Sequence, residues 1–346
     1  MSKANPSPIA SHHDRACEVF AQLTGTVVDY GSEHSNIFKH SRWGKDYSHK
    51  RGLFPDWGSS NPVHFICHSG AINTARVLQK LLEIDFWNKN TSAQWILSIT
   101  SINGAPNESA VSDVISPAKI LSRSVVWAAM SKLELSSDQL RQALNWPTDH
   151  WVPDTDNSTL SQSDDEVINK LGSSLKCGIF GSRDNIIYDQ TSEEVDCPVD
   201  YIPKFIYKKT FYLCLFSSAT MSSKQCIPPE MSPILWPFAA ILLDKSCNEY
   251  LNESTRNIIQ KIQTISSNVD PLKDNDGMVT VINQCVPRGA ESLVEVFPEH
   301  SYLTSHITNL HPGVWYIDSV NKWIGPINRN TFDLGTGCQN VFRKYK

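Results

Sequence analysis

Val63-His64-Phe65-Ile66-Cys67-His68-Ser69-Gly70-Ala71-Ile72-Asn73-Thr74-Ala75-Arg76-Val77-Leu78 is the stretch whose reading decides the fold. The short apolar run at Val63, Phe65 and Ile66 predicts a buried strand. His68-Ser69-Gly70 predicts a sharp turn, and from Thr74 the apolar residues fall at helical spacing. A serine at a strand–turn–helix junction stands where a nucleophile elbow places its hydroxyl. The strained turn lifts the oxygen above the sheet edge, and the helix N-terminus behind it favours developing negative charge. The G-x-S-x-G pattern is imperfect, because Cys67 and Ala71 occupy the glycine positions. Read alone, these residues describe an ordinary strand–helix loop equally well.

Working outward, Asp14 to Leu23 reads as an amphipathic helix with Ala16, Val19, Phe20 and Leu23 on one face and the Asp14 carboxylate near its start. A Thr26-to-Gly31 segment and a histidine-bearing stretch from His34 to Gly44 follow, and residues 45–60 read as loop. Downstream of the elbow, Trp95 to Ile102 reads as a second buried strand. Strand, helix and strand in succession predict a parallel pair with a crossover helix. Residues 117–200 read as a lid-like insertion, with a Ser/Asp-rich piece at Ser158–Asp165. Lys204 to Ser217 reads as another core strand. The proline-bounded segment 228–246 reads as a buried helix or a ligand-facing wall, and a polar helix follows near 250–266. Asp274 opens a tight turn before a strand-like run to Gln284, while Gly313 to Asp318 and Lys322 to Pro326 read as short ordered pieces. Together these predict one α/β domain over residues 1–346, a mostly parallel sheet with helices on both faces.

Composition narrows the class. Hydrophobic residues make up 40% of the 346 residues, enough for a sizeable core. The net charge is -5 without a basic stripe or cationic tail, which points away from nucleic acid and anionic membranes. No apolar run reaches transmembrane length, and the N-terminus lacks the apolar core of a signal peptide. Nine cysteines, an odd count without C-x-x-C pairs, suit reduced thiols in a cytoplasmic protein.

Several pieces then fit together. Asp14-Arg15-Ala16-Cys17-Glu18, Val28-Asp29-Tyr30-Gly31 with the His34 and His40 spacing, His68-Ser69 with Asn73-Thr74-Ala75-Arg76, and Asn275-Asp276-Gly277 with Val279 resemble the zinc-containing bacterial triacylglycerol lipases of the staphylococcal and thermophilic bacillus type. Shorter matches at Asp184, Tyr188-Asp189 and Gly313-Val314-Trp315 keep the same order. The resemblance runs from about residue 10 to about residue 325 and implies an α/β-hydrolase fold with a Ser-Asp-His triad. It places Ser69 on the nucleophile, Asp276 on the triad acid, and Asp14, His34, His40 and Asp184 on the zinc ligands. Two imidazoles and two carboxylates also make a closed, structural type of zinc site on chemical grounds. Read alone, His34 and His40 are two surface imidazoles. Six apart they do not share a helix face, so a loop geometry is expected between them.

Three departures bear on catalysis. The family's domain opens with a strand ending in His-Gly, which helps form the oxyanion hole, and then a further strand. Nothing before Asp14 reads as either, so these N-terminal strands are expected to be missing. The family's triad histidine follows Gly-Val-Trp in an Asp-His-Leu run, but Tyr316 to Gly325 holds no histidine, and His300, His306 and His311 precede Gly313. The family's calcium positions are likewise unrecognisable. Finally, Gly70-Ala71-Ile72 replaces Gln-Gly-Gly; Gly70 still offers a backbone N–H to an oxyanion, but Ile72 adds bulk.

The resemblance therefore predicts a lipase-like carboxylic-ester hydrolase acting on an apolar substrate, impaired unless a histidine and an oxyanion donor come from elsewhere. Two alternatives remain open: a non-hydrolytic tailoring or condensation role in fungal natural-product (secondary metabolite) biosynthesis, and an inactive zinc-stapled binding protein. A truncated gene product is a further reading of the missing strands.

Overall fold

The computed structural model describes residues 2–7, 10–106, 184–189, 202–224, 227–229, 231, 235–244, 253–287, 289–298 and 310–320. Most of the 117–200 insertion, including Ser158–Asp165, lies outside these residues, as does Lys322–Pro326. The chain divides into two compact units. The first comprises Met1–Val63, Asn73–Ile96 and Ser112–Pro203, the second His64–Ile72, Leu97–Val111 and Lys204–Lys346.

The first unit is built around helix α1, His12–Thr24. The Ser11 hydroxyl accepts the Asp14 N–H at 3.2 Å, satisfying one orphan donor of the first turn. At the other end Gly25 adopts φ 71 and returns its N–H to the Ala21 carbonyl. The expected apolar face (Ala16, Val19, Phe20, Leu23) is buried, and so is a polar face of His12, His13, Asp14, Glu18 and Gln22. Phe20 stacks on Trp87 with ring centroids 3.8 Å apart, and the Trp57 indole donates to the Trp95 carbonyl at 2.7 Å.

Strand β1 (Val27–Asp29) follows, then helix α2 (Ser32–Phe38) and strand β2 (Trp43–Asp46), which pairs antiparallel with β1. Much of helix α3 (Ala71–Glu83), from Asn73 onward, belongs to this unit, as does the short helix α4 (Ile186–Asp189). Arg76, fully buried on α3, donates to the Pro203 carbonyl at 2.6 Å.

The second unit carries a five-stranded parallel sheet with helices. Its strands are β3 (Val63–His68), β4 (Ile96–Ile102), β5 (Phe211–Phe216), β6 (Val294–Val296) and β7 (Trp315–Ser319), in the order β3-β4-β5-β7-β6. Cys214 of β5 sits opposite Ser101 on one side and Ile317 on the other. All of β7 is buried, as a strand flanked on both sides by parallel neighbours should be. Ile102, Leu215 and Val320 form a core cluster with Ile66 and Leu213 against it. Each fully buried side chain of this size contributes about 1.5–3 kcal/mol. The helices are α5 (Trp236–Asp244), α6 (Glu253–Ile265), which packs on β6 and β7, and α7 (Val281–Cys285), which packs on β5.

Four local expectations change. The strand expected to be buried, β3, lies at the edge of the sheet, where only one neighbour covers it, and Cys67 is its one buried residue. The strand-like run after Asp274 folds as α7, entered at Thr280. The core strand begins at Phe211 rather than Lys204, because a turn closes from Thr210 to the Tyr207 carbonyl. Within the proline-bounded segment, α5 leaves Trp236 and Ile241 exposed, so it is only partly buried. Among the described residues no helix is long and apolar enough to cross a membrane.

Candidate functional site

Asp14, His34, His40 and Asp184 converge in the first unit, each offering one ligand atom, with all four atoms within 4.8 Å of one another. His34 Nε2 lies 3.0 Å from Asp14 Oδ1 and 3.0 Å from Asp184 Oδ2; His40 Nε2 lies 3.3 Å from Asp184 Oδ2. An ion with bonds of about 2.0–2.2 Å holds tetrahedral ligand atoms about 3.2–3.6 Å apart, so these edges are close to that spacing. Two imidazoles with two carboxylates suit a borderline divalent metal rather than calcium or magnesium, which prefer all-oxygen shells.

Local structure explains how the ligands meet. Asp14 sits in the first turn of α1, fixed by Ser11. His34 rides on α2, which stops at Lys39 in the left-handed region, φ 60, so that His40 turns back toward His34. This is the break that two histidines six apart require. Gly31, at φ 85, lets Phe86 pack where a Cβ would stand, just before α2 begins. Asp184 precedes α4. That segment is tied to α1 by the Ala10–Asn185 bridge and by Asp189 Oδ2, which accepts the His12 N–H at 2.6 Å.

Further side chains orient the ligands. His40 Nδ1 lies 2.8 Å from the Ser41 carbonyl, which turns Nε2 to the cluster. His13 stacks on His34 at 3.9 Å and holds the Tyr30 carbonyl through Nε2 at 2.8 Å. Burial lowers the His34 pKa, but its hydrogen bonds to Asp14 and Asp184 outweigh that and hold it at about 9. Burial and Asp14 both raise Asp184, yet the bonds from His34 and His40 keep it below its ordinary value. The pocket thus draws positive charge. Sequence reading missed His13 as a supporting residue; its only signal was the His12-His13-Asp14 run.

In the second unit, β3 leads into Ser69, whose φ is 53, and the chain then enters α3. A left-handed serine between strand and helix is strained by about 1–2 kcal/mol, and it is the backbone of an elbow. Ser69 is exposed, and Gly70 precedes the first N–H groups of α3, which have no intrahelical acceptor.

Asp276 is half-buried in the Asn275–Gly277 turn, where Oδ1 accepts the Met278 and Val279 N–H groups at 2.9 and 2.8 Å. Burial raises its pKa to about 6 against those two bonds. A continuous run of hydrogen bonds joins this turn to the elbow. Ser69 N–H donates to Ile102 O (3.3 Å), Asn103 Nδ2 to Ser217 Oγ (2.6 Å), and Ser217 N–H to Gln284 Oε1 (3.0 Å). Gln284 Nε2 then donates to Val279 O (3.1 Å). Both candidate residues therefore sit beyond the carboxyl ends of strands, where α/β sheets place ligands. Gln284 was not legible as part of this network from sequence.

No histidine among the described residues bonds to Ser69 or Asp276. His311 is exposed ahead of β7, and β7 ends in Asp318-Ser319, with Ser319 N–H donating to Asp318 Oδ1 at 2.8 Å.

A family described as "Lipase-like, C-terminal domain" matches residues 1–90. The lipase of Staphylococcus hyicus is 28% identical over 226 residues, 60% of this chain and 33% of that protein. Lipase 1 of Staphylococcus aureus (strain MRSA252) is 31% identical over 128 residues, 32% of this chain and 18% of that protein. The alignments thus span a third or less of these relatives. Among solved structures, the Staphylococcus hyicus lipase superposes with TM-score 0.62 at 21% identity, covering 99% of this chain and 82% of that one. EstA from Clostridium botulinum gives TM-score 0.66 at 23% identity, covering 98% and 77%. By sequence and by its α/β-hydrolase-like fold, the chain is related to the staphylococcal-type bacterial lipases.

Proposed function

We propose that this protein is a lipase-type hydrolase that cleaves a carboxylic ester of an apolar substrate through Ser69. The observation that carries this reading is the left-handed φ of Ser69 between β3 and α3. In the proposed reaction Ser69 Oγ attacks the acyl carbon, its proton passes to a base, and the alcohol departs with a proton from that base. Water then hydrolyses the acyl-enzyme and regenerates the serine. The Gly70 N–H stabilises the oxyanion, and Asp276 orients the base. Ser319 cannot be that base, since a hydroxyl does not accept a proton usefully near neutral pH. A histidine must serve, and His300 and His306 lie outside the described residues.

Asp14, His34, His40 and Asp184 would hold zinc in a closed four-ligand site. Such a site leaves no position for a reactive water, so zinc would supply a structural cross-link. The relatives give the natural-product role no support. The Ser319 terminus of β7 favours one second reading, a zinc-stapled protein that binds apolar ligands without turning them over.

Intact-mass labelling with a fluorophosphonate, beside Ser69→Ala, separates the two. A single adduct on the parent and none on the variant supports the hydrolase. A folded, metal-loaded parent that takes no adduct sinks the serine mechanism and leaves binding.

A further inference from the structure

We propose that the exposed strip from Trp43 to Leu53 docks this protein on an anionic lipid surface. The chain's net charge of -5 conceals a local reversal: residues 43–53 hold Lys45, Lys50 and Arg51 against the single carboxylate of Asp46. The strip is one continuous feature. It runs along the end of α1 and the start of β1 through bonds from Tyr47 N–H to Thr26 O, Leu53 N–H to Gln22 O and Phe54 N–H to Leu23 O. Gly25 and Gly52 approach so closely that a Cβ on Gly25 would stand 2.8 Å from the Gly52 nitrogen.

Its side chains point to the partner's chemistry. Trp43 is 53% exposed, and Arg42 holds that indole in place. The guanidinium carbon lies 4.6 Å over the ring while Nε and Nη2 grip Asp29, each at 2.8 Å. A fixed, outward indole is the side chain that seats at a bilayer's headgroup level. Lys45, Lys50 and Arg51 are exposed with no carboxylate partner among the described residues. Leu53 is 40% exposed in the same strip. Cations with aromatics would also suit a nucleic-acid strand, but an exposed leucine has no stacking role there. Beside a tryptophan and cations that lack a carboxylate partner it suits insertion at an anionic membrane surface.

The test is co-sedimentation of the full chain with vesicles of phosphatidylcholine alone and of phosphatidylcholine with phosphatidylserine. Binding is expected only with phosphatidylserine and should weaken as salt is added. Each cation removed lowers partitioning roughly five-fold, so Lys45→Gln/Lys50→Gln/Arg51→Gln should lose about a hundred-fold. Trp43→Ala should weaken binding independently, and Ser69→Ala should bind like the parent. Unchanged thermal melting by circular dichroism checks that the variants fold. Equal binding to both vesicles, or full binding by the triple variant, overturns the proposal. So does a parent that ignores phosphatidylserine vesicles, or one that binds single-stranded RNA or DNA in their place.

Discussion

Chelation at the Asp14–His34–His40–Asp184 cluster gives the sharpest quantitative test of the proposed metal. A bound ion would tie His40 to Asp184, closing a loop of 144 positions (184 − 40), and would tie both to Asp14 and His34. The chain-entropy relation for a cross-link of that loop length gives about 5 kcal/mol. Any affinity of the unfolded chain for the ion, and any strain in the folded site, reduce that figure. In the unit that holds the site, about 2–4 °C of melting temperature accompanies each kcal/mol, so complete removal should lower melting on the order of 10–20 °C. The assay is differential scanning calorimetry before and after 1,10-phenanthroline, with metal content read by mass spectrometry. One equivalent of zinc should restore the original transition. Asp184→Ala should melt like the stripped parent and no longer respond to the chelator. A protein shown to be metal-free that melts with the untreated one would refute the cross-link, and so would a purified protein without stoichiometric metal.

Three further outcomes follow from the second unit. Ser69→Gly should raise the unfolding free energy in urea by about 1 kcal/mol, because glycine relieves the left-handed strain at φ 53, while Ser69→Ala should leave it near the parent. Burial raises Asp276 to about 6 from an ordinary value near 3.8, so the fold favours its protonated form. That contribution is complete below about pH 4 and lost as pH rises through 6. Asp276→Asn, which keeps the oxygen that accepts two N–H groups, should therefore be at least as stable as the parent above pH 6, while fluorophosphonate labelling of the parent rises through that same pH; an Asn variant that melts lower at pH 8 would contradict this. Gln284→Ala removes the amide that bonds Ser217 and Val279 and strands one buried and two part-buried backbone groups, so it should lower the unfolding free energy in urea by about 3 kcal/mol. A loss under about 1 kcal/mol would mean that water replaces the amide.

The local pieces of the fold were legible because each carries its own period. The β3 run, the α3 spacing and the β4 run sit where the apolar pattern puts them, and α1 and α6 follow the same rule. The misread pieces are those whose conformation is set by partners far along the chain. Val279-Thr280-Val281-Ile282 is rich in β-branched residues and reads as strand. Its second half instead opens α7 after Thr280, packed on β5, with Cys214 Sγ donating to the Gln284 carbonyl at 2.9 Å. The aromatic run from Lys204 also looks like strand. There Tyr207 N–H bonds the Tyr212 hydroxyl at 3.0 Å and turns the chain before β5 starts. The β1–β2 pairing was invisible because a four-residue strand of Trp, Gly, Lys and Asp has no period to detect.

The two candidate sites differ in a way that the sequence exposed and the fold explains. The cluster that could hold a metal brings Asp14, His34, His40 and Asp184 together, although nothing local announces that α2 will end at a left-handed lysine. The His34 and His40 spacing became meaningful only once Asp14 and Asp184, 170 positions apart (184 − 14), were read with it. The catalytic set needs a nucleophile, an acid and a base. Ser69 and Asp276, the proposed nucleophile and acid, are joined through a run of hydrogen bonds, but β7 closes on Ser319, not an imidazole. A serine in the left-handed region is costly to keep, and a glycine would fold more easily at that turn. The proposed mechanism turns on a base that would activate Ser69. Should labelling of Ser69 succeed, replacing His300 and His306 one at a time would identify that base by the loss of the adduct.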